Sequence, residues 1–153
     1  MSSKEVISFV EPPTGRFEAL IIWIETRRLK SKFSGEEKRF LIVTYWIPEK
    51  EFLVREFLNL DYKVFGKTKL RRRCPVWGVK SDFEPLHLLG RWVTLNLDEN
   101  GKILEVLKSN KPRLSTDSEE YEREFEKYER KFDELLEVLM KRDKEGFWRE
   151  PDE

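Results

Sequence analysis

The chain has 153 residues, 39% hydrophobic and 39% charged, which is enough apolar material for one core and too little for two. Its 30 Lys and Arg balance its 30 Asp and Glu, yet residues 1–113 carry 22 cations against 15 anions (+7) and residues 114–153 carry 8 against 15 (−7), the pattern of a polyanion-binding body with an acidic appendage. A single cysteine excludes an internal disulfide and a thiolate cage, and a single histidine leaves little for metal or proton-shuttle chemistry.

In chain order, residues 16–29 (RFEALIIWIETRRL) hold aromatic and β-branched residues without helical spacing and predict a first strand, with Trp23 in its core. Residues 39–47 (RFLIVTYWI) predict a second, and residues 52–60 (FLVREFLNL) a third after a connection short enough for a hairpin. Residues 67–73 read as a short helix stopped by Pro75 and Gly78. Residues 90–97 alternate, with Val93, Leu95 and Leu97 facing the core and Trp92, Thr94 and Asn96 facing away. Asn100-Gly101 marks a tight turn into a fifth strand at 102–108. The order is that of the OB fold: mainly β with helices, a five-stranded barrel with a short helix between strands 3 and 4, to which a long C-terminal helix is added. The expected divisions are a body at 1–113, a heptad helix at 114–146 and an acidic tail at 147–153.

Three stretches carry a family likeness: FLNL at 57–60, GKTKLRR at 66–72 and LLGRWVTLNLDENGKILEVL at 88–107. Over about residues 15–108 the chain resembles the OB-fold proteins that bacteriophages and related mobile elements encode to bind single-stranded DNA during replication. Its heptad tail is similar to that of crenarchaeal single-strand-binding proteins ending in a dimerising zipper. The resemblance implies a DNA partner, with RNA as the alternative, and a role in replication or recombination.

The residues also supply the chemistry directly. Sequence-tolerant binding of single strands needs cations that follow phosphates and aromatic faces that take unstacked bases. Around the first loop stand Arg27, Arg28, Lys30 and Lys32, with Phe33, Lys38 and Arg39. Alternation on the second strand gives Leu41, Val43, Tyr45 and Ile47 to the core and leaves Phe40 and Trp46 as candidate stackers. Arg55 and Phe57 share the outward face of the third strand, and Trp92 that of the fourth. Lys69, Arg72 and Arg73 share a helix face and are read as backbone contacts. GKT at 66–68 is not a phosphate loop, since Asp61 stands where the first glycine is required. Glu56, Asp61, Asp82 and Glu84 have no spacing that singles out a metal site. No catalytic residue, metal or cofactor is assigned.

Tyr121, Phe125, Tyr128, Phe132, Leu135 and Leu139 follow one another at intervals of 4, 3, 4, 3 and 4, a heptad seam on one long helix at 118–144, capped by Thr116 or Asp117 and ended by Gly146. The seam is read as an oligomerisation surface, docking in cis on the body being the alternative. Glu124 and Glu129 would face like charges in a parallel pair, which favours antiparallel or higher-order association. The tail GFWREPDE offers acids beside aromatics for a replication partner. No apolar run approaches the ~20 residues that cross a bilayer, and residues 1–10 lack the plan of a signal peptide, so a soluble protein of the cytoplasm, of the host if phage-encoded, is expected. The absence of Gln suits a thermophilic source. The expected function is non-catalytic binding of single-stranded DNA, an assembly adaptor being the alternative.

Overall fold

A computed structural model of the chain describes residues 12–30, 34–60, 69–80 and 82–144, with the side chains of its last helix described to residue 137. Lys32, the start of the expected helix at 67–68, the Leu139 side chain and the tail at 147–153 lie outside what is described. Five antiparallel strands form one open sheet: β1 (Gly15–Lys30), β2 (Glu37–Ile47), β3 (Phe52–Asn59), β4 (Trp92–Leu97) and β5 (Ile103–Lys108), ordered β3-β2-β1-β4-β5. Two helices, α1 (Lys69–Trp77) and α2 (Glu119–Lys144), and a 3₁₀ turn at Pro85–Leu88 accompany it. The chain is therefore mainly β with helices, but the expected barrel is not closed. β3 and β5 are the two edges, and α1 packs against β3, β4 and β5 between them.

β1 makes this arrangement possible. Residues Gly15 to Leu20 pair with β4, and Leu20 to Lys30 pair with β2, with a bulge between Ile21 and Trp23. The extra residue, Ile22, bends the strand so that it serves both halves of the sheet. Ile21 and Ile22 are both fully buried, on opposite faces, and Trp23 is displaced to a rim where it is 41% exposed. Trp23 is thus not the core residue that its apolar surroundings suggested.

Both faces of the sheet are covered. On one, Ile21, Leu41, Val43, Tyr45, Leu58, Val93 and Leu95 pack with Trp77 of α1 and Leu88. On the other, Leu20, Ile22, Trp46 and Trp92 pack with Tyr121 and Tyr128 of α2, flanked by Phe125 and Phe132. Each fully buried aliphatic side chain contributes about 1.5–3 kcal/mol.

α1 runs through Pro75 to Trp77 rather than stopping before the proline. Pro75 lies in the final turn, where its missing N–H forfeits a single bond, and burial of Trp77 outweighs that loss. The helix ends in a Schellman arrangement: Gly78, at φ 78°, donates to the Pro75 carbonyl (3.1 Å) and Val79 to that of Cys74 (3.0 Å). α2 is capped by Ser118, whose hydroxyl accepts from the Tyr121 N–H at 3.2 Å, not by Thr116 or Asp117. Its first turn carries Glu119, Glu120 and Glu122, which suit the positive end of the helix.

Candidate nucleic-acid interface

Register places the expected ligand face beneath α2. Trp46 opposes Leu53, Thr44 opposes Arg55, and Ile42 opposes Phe57, so these side chains share one face of β2 and β3 with Phe40. Trp46 is fully buried, Phe40 is 7% exposed and Trp92 is 8% exposed. These three are therefore not open stacking surfaces: alternation put them on the face away from the first core, and α2 covers that face at Trp46 and Trp92. Trp46 packs edge-on against Tyr128 with centroids 6.3 Å apart, and its Nε1 donates to Glu124 Oε1 at 2.9 Å. Phe57 remains half-buried, edge-on to Phe40 at 6.5 Å. Arg55 lies over the rings of Phe57 (6.0 Å) and Phe132 (5.9 Å) while its Nη2 pairs with Glu25 at 2.7 Å.

The heptad seam is what closes this face. Tyr121, Phe125, Tyr128 and Phe132 form a continuous row of ring contacts and turn onto the chain's own sheet. The seam read as an oligomerisation surface is thus engaged in cis over those four residues, because the sheet offers them an apolar face within the same chain. Leu135, farther along, is 40% exposed. The Tyr121 hydroxyl donates to the Ile22 carbonyl at 2.8 Å, and burial, then the neighbouring Tyr128, pushes its pKa up to about 12. Burial likewise raises Tyr128. Beneath α2, Arg55 Nε is buried with no hydrogen-bond partner, and the Thr44 hydroxyl lies within hydrogen-bonding reach of Tyr128.

The α1 cations do something other than expected. Arg73 grips Glu56 through Nη2 at 2.7 Å and Nε at 2.9 Å, and Lys69 approaches the same carboxylate at 3.7 Å. Glu56 is 3% exposed and accepts a further bond from the Tyr45 hydroxyl at 2.7 Å, which in turn accepts from Trp77 Nε1 at 3.3 Å. Burial and the Glu56 charge raise the Tyr45 pKa well above its usual value. Arg73 is therefore an internal counter-ion that fastens α1 to β3, not a phosphate contact. Arg72 is exposed and engaged elsewhere in the chain. The signal was present in the sequence: Val54, Glu56 and Leu58 share the core face of β3, and a carboxylate there requires a cation from a neighbouring element.

At the far end of β1 and β2, Arg27, Arg28 and Arg39 line a cleft with Thr26 and Leu60. Arg28 and Arg39 are register partners, while Arg27 opposes Phe40 and so lies on the α2 side. These three arginines thus lie on both sides of the sheet at its end instead of lining one face. Arg27 pairs with Glu25 at 3.4 Å and Arg28 with Glu37 at 3.7 Å, both at exposed positions, and Lys30 is exposed.

Cys74 is buried with its pKa raised by desolvation, and its Sγ lies 3.5 Å from the Leu70 carbonyl. His87 lies 3.9 Å from Glu84 at an exposed site. Among the described residues no group of three or more His, Cys, Asp or Glu is arranged to hold a metal, and no helix is long and apolar enough to cross a membrane. No protein-family model matches the chain, and neither curated proteins nor solved structures provide a match.

Proposed function

We propose that the chain is a non-catalytic single-stranded nucleic-acid-binding module, an OB fold opened along one seam, whose β2–β3 face takes the strand when α2 moves aside. The order supports the fold reading. β1 pairs with both β2 and β4, a helix joins β3 to β4, and a β3–β5 pairing alone is wanting to close the cylinder. The observation that carries the function lies under α2. Arg55, the register partner of Thr44, keeps its Nε buried with no hydrogen-bond partner while its Nη2 pairs with Glu25, whereas a finished interior pairs nearly all its polar atoms. Around them stand two further aromatics and an indole N–H that holds a carboxylate oxygen. Such a strip of rings, hydroxyl and guanidinium is what stacked bases and their phosphates need, and Arg27 extends it in cationic form toward the cleft it lines with Arg28 and Arg39 at the end of the sheet.

The test is titration of the full chain with labelled oligothymidylate and with duplex of equal length at several salt concentrations. Single strands are expected to bind at least about tenfold more tightly, with affinity falling as salt rises. Equal binding, or none at low salt, overturns the reading. The adaptor alternative draws on one observation, that Leu135 and Leu136 are each 40% exposed on α2. It gains if nucleic acid fails to bind and replacement of both leucines by Ser changes the mass of the particle in solution.

A further inference from the structure

A second group of cations lies away from the β2–β3 face, between the end of α1 and the end of β5. Arg91, Lys108, Lys111 and Arg113 line one cleft with Trp77 and Trp92. Two of them are held by main chain. Arg91 donates from Nε to the His87 carbonyl (2.9 Å) and from Nη1 to that of Trp77 (3.2 Å), and Arg113 Nε donates to Leu89 (3.0 Å). Gly78 keeps the space open, since a Cβ there would stand 3.3 Å from Arg91 Nη1. Lys111 Nζ rests 4.0 Å from the centre of the Trp92 ring.

These anchors are all neutral. Several other basic groups of the sheet and α1 face carboxylates: Arg73 and Lys69 face Glu56, Arg55 and Arg27 face Glu25, Arg28 faces Glu37 and Arg16 faces Glu105. Among the described residues none of the four cleft cations has an ion pair, although the chain has as many carboxylates as cations, 30 of each. Glu18, which reaches the cleft wall at Ser109, accepts from the hydroxyls of Ser109 (2.8 Å) and Thr94 (3.0 Å). Burial, then the charge of Arg113, lowers the Arg91 pKa from its usual value, as expected where like charges converge without an anion. Fixed guanidinium forks match phosphate oxygens two at a time, and lysines add mobile point charge.

We infer that this cleft is a second oxyanion site, in which Arg91 and Arg113 fork a phosphate of a nucleic-acid backbone and Lys108 and Lys111 neutralise its neighbours. Trp92 is capped by Lys111 and takes no base, so the site reads backbone alone. The inference rests on the nucleic-acid reading above. β4 enters beside Ile21, whose carbonyl receives the Gly90 N–H, and Ile21 to Arg27 is six residues of β1, about 20 Å at ~3.3 Å each. One strand long enough to span that distance engages both basic regions.

The test compares the full chain with Lys108→Gln/Lys111→Gln, which removes two charges and no hydrogen bond of the fold, and with Arg113→Lys, which keeps charge and loses the fork. With a 20-residue oligothymidylate the double variant is expected to bind about fivefold or more weakly, its log-affinity against log-salt slope shallower by about 1.4, at ~0.7 per lost contact. Its melting temperature should fall by no more than a few degrees, from loss of the Lys111 contact with the Trp92 ring, and Arg113→Lys should weaken binding less. Unaltered affinity and slope in the double variant, while the parent chain binds, overturn the inference. If the parent chain binds no oligonucleotide, inorganic tripolyphosphate decides. A thermal shift of the parent chain that the double variant lacks keeps the site, with a free polyphosphate as its ligand, and no shift in either removes it.

Discussion

A carboxylate inside a sheet survives only where cations and hydroxyls replace its water, and Glu56 has both, in Arg73 on one side and Tyr45 on the other. With the carboxylate 1% and the guanidinium 13% exposed, the pair is shielded from solvent, unlike Arg28 and Glu37, whose side chains are 71% and 57% exposed. Glu56→Gln leaves Arg73 without its counter-ion, and the expected loss is about 3–5 kcal/mol, read as a fall in the urea midpoint. Glu37→Gln should cost at most ~1 kcal/mol. A loss below about 1 kcal/mol for Glu56→Gln would mean that Arg73 finds water on relaxing and that α1 is not fastened by this pair. Replacing both partners by Leu should recover much of the stability, because the penalty lies in the orphaned charge and not in the absence of the bond.

α2 is 26 residues, about 39 Å at ~1.5 Å each, and its aromatic row gives the sheet its second buried face. Trp46 is therefore expected to behave as a core residue in the full chain. Trp46→Ala should cost about 3–5 kcal/mol, whereas half-buried Phe57→Ala should cost clearly less, both measured by denaturant unfolding. Comparable small losses would mean that α2 is already detached in solution. How much of this was legible follows from which interactions are local. Period-two alternation assigned Leu41, Val43, Tyr45, Ile47, Val93, Leu95 and Leu97 to the first core, because side-chain direction along a strand is a property of neighbours in sequence. The span 118–144 was legible for the same reason, as seam spacing reports the helix itself. What covers Trp46 and Trp92 is set by a helix far along the chain, its Glu124 lying 78 residues beyond Trp46, and spacing alone does not say whether an apolar seam meets its own sheet or another chain. The bulge at Ile22, which sent Trp23 to the rim, depends on how β1 is shared between β2 and β4 and likewise has no local mark. Arg91 and Arg113 went unremarked because twenty-two residues separate them and no basic run joins them.

At the scale of the whole molecule, the acidic segment of −7 lies in part across a body of +7, so under the proposed nucleic-acid function α2 would oppose a bound strand in two ways, by covering the proposed ligand face and by lowering the potential near it. The two differ in their response to salt. Steric cover is a conformational equilibrium: if the open state is a fraction f of molecules, the apparent dissociation constant is raised by 1/f at any ionic strength. The electrostatic part is strongest where the screening length is ~30 Å, at 0.01 M salt, and largely gone where it is ~8 Å, at 0.15 M. Phe125→Ser/Phe132→Ser loosens the seam without altering charge, and should tighten binding of a short oligothymidylate about tenfold or more at both salt concentrations. Glu126→Gln/Asp133→Asn/Glu137→Gln removes three exposed acids beyond the first turn and leaves the seam in place, and should tighten binding at 0.01 M alone. A short strand is required, since a long one also rewards any association between chains. If the seam variant binds no better than the parent chain while remaining folded by circular dichroism, α2 is a permanent layer of the domain and the strand has to bind along the basic ends of the sheet. If the acid variant gains equally at both salt concentrations, its carboxylates act by contact with the face, as Glu124 does on Trp46, and not through the field of the segment.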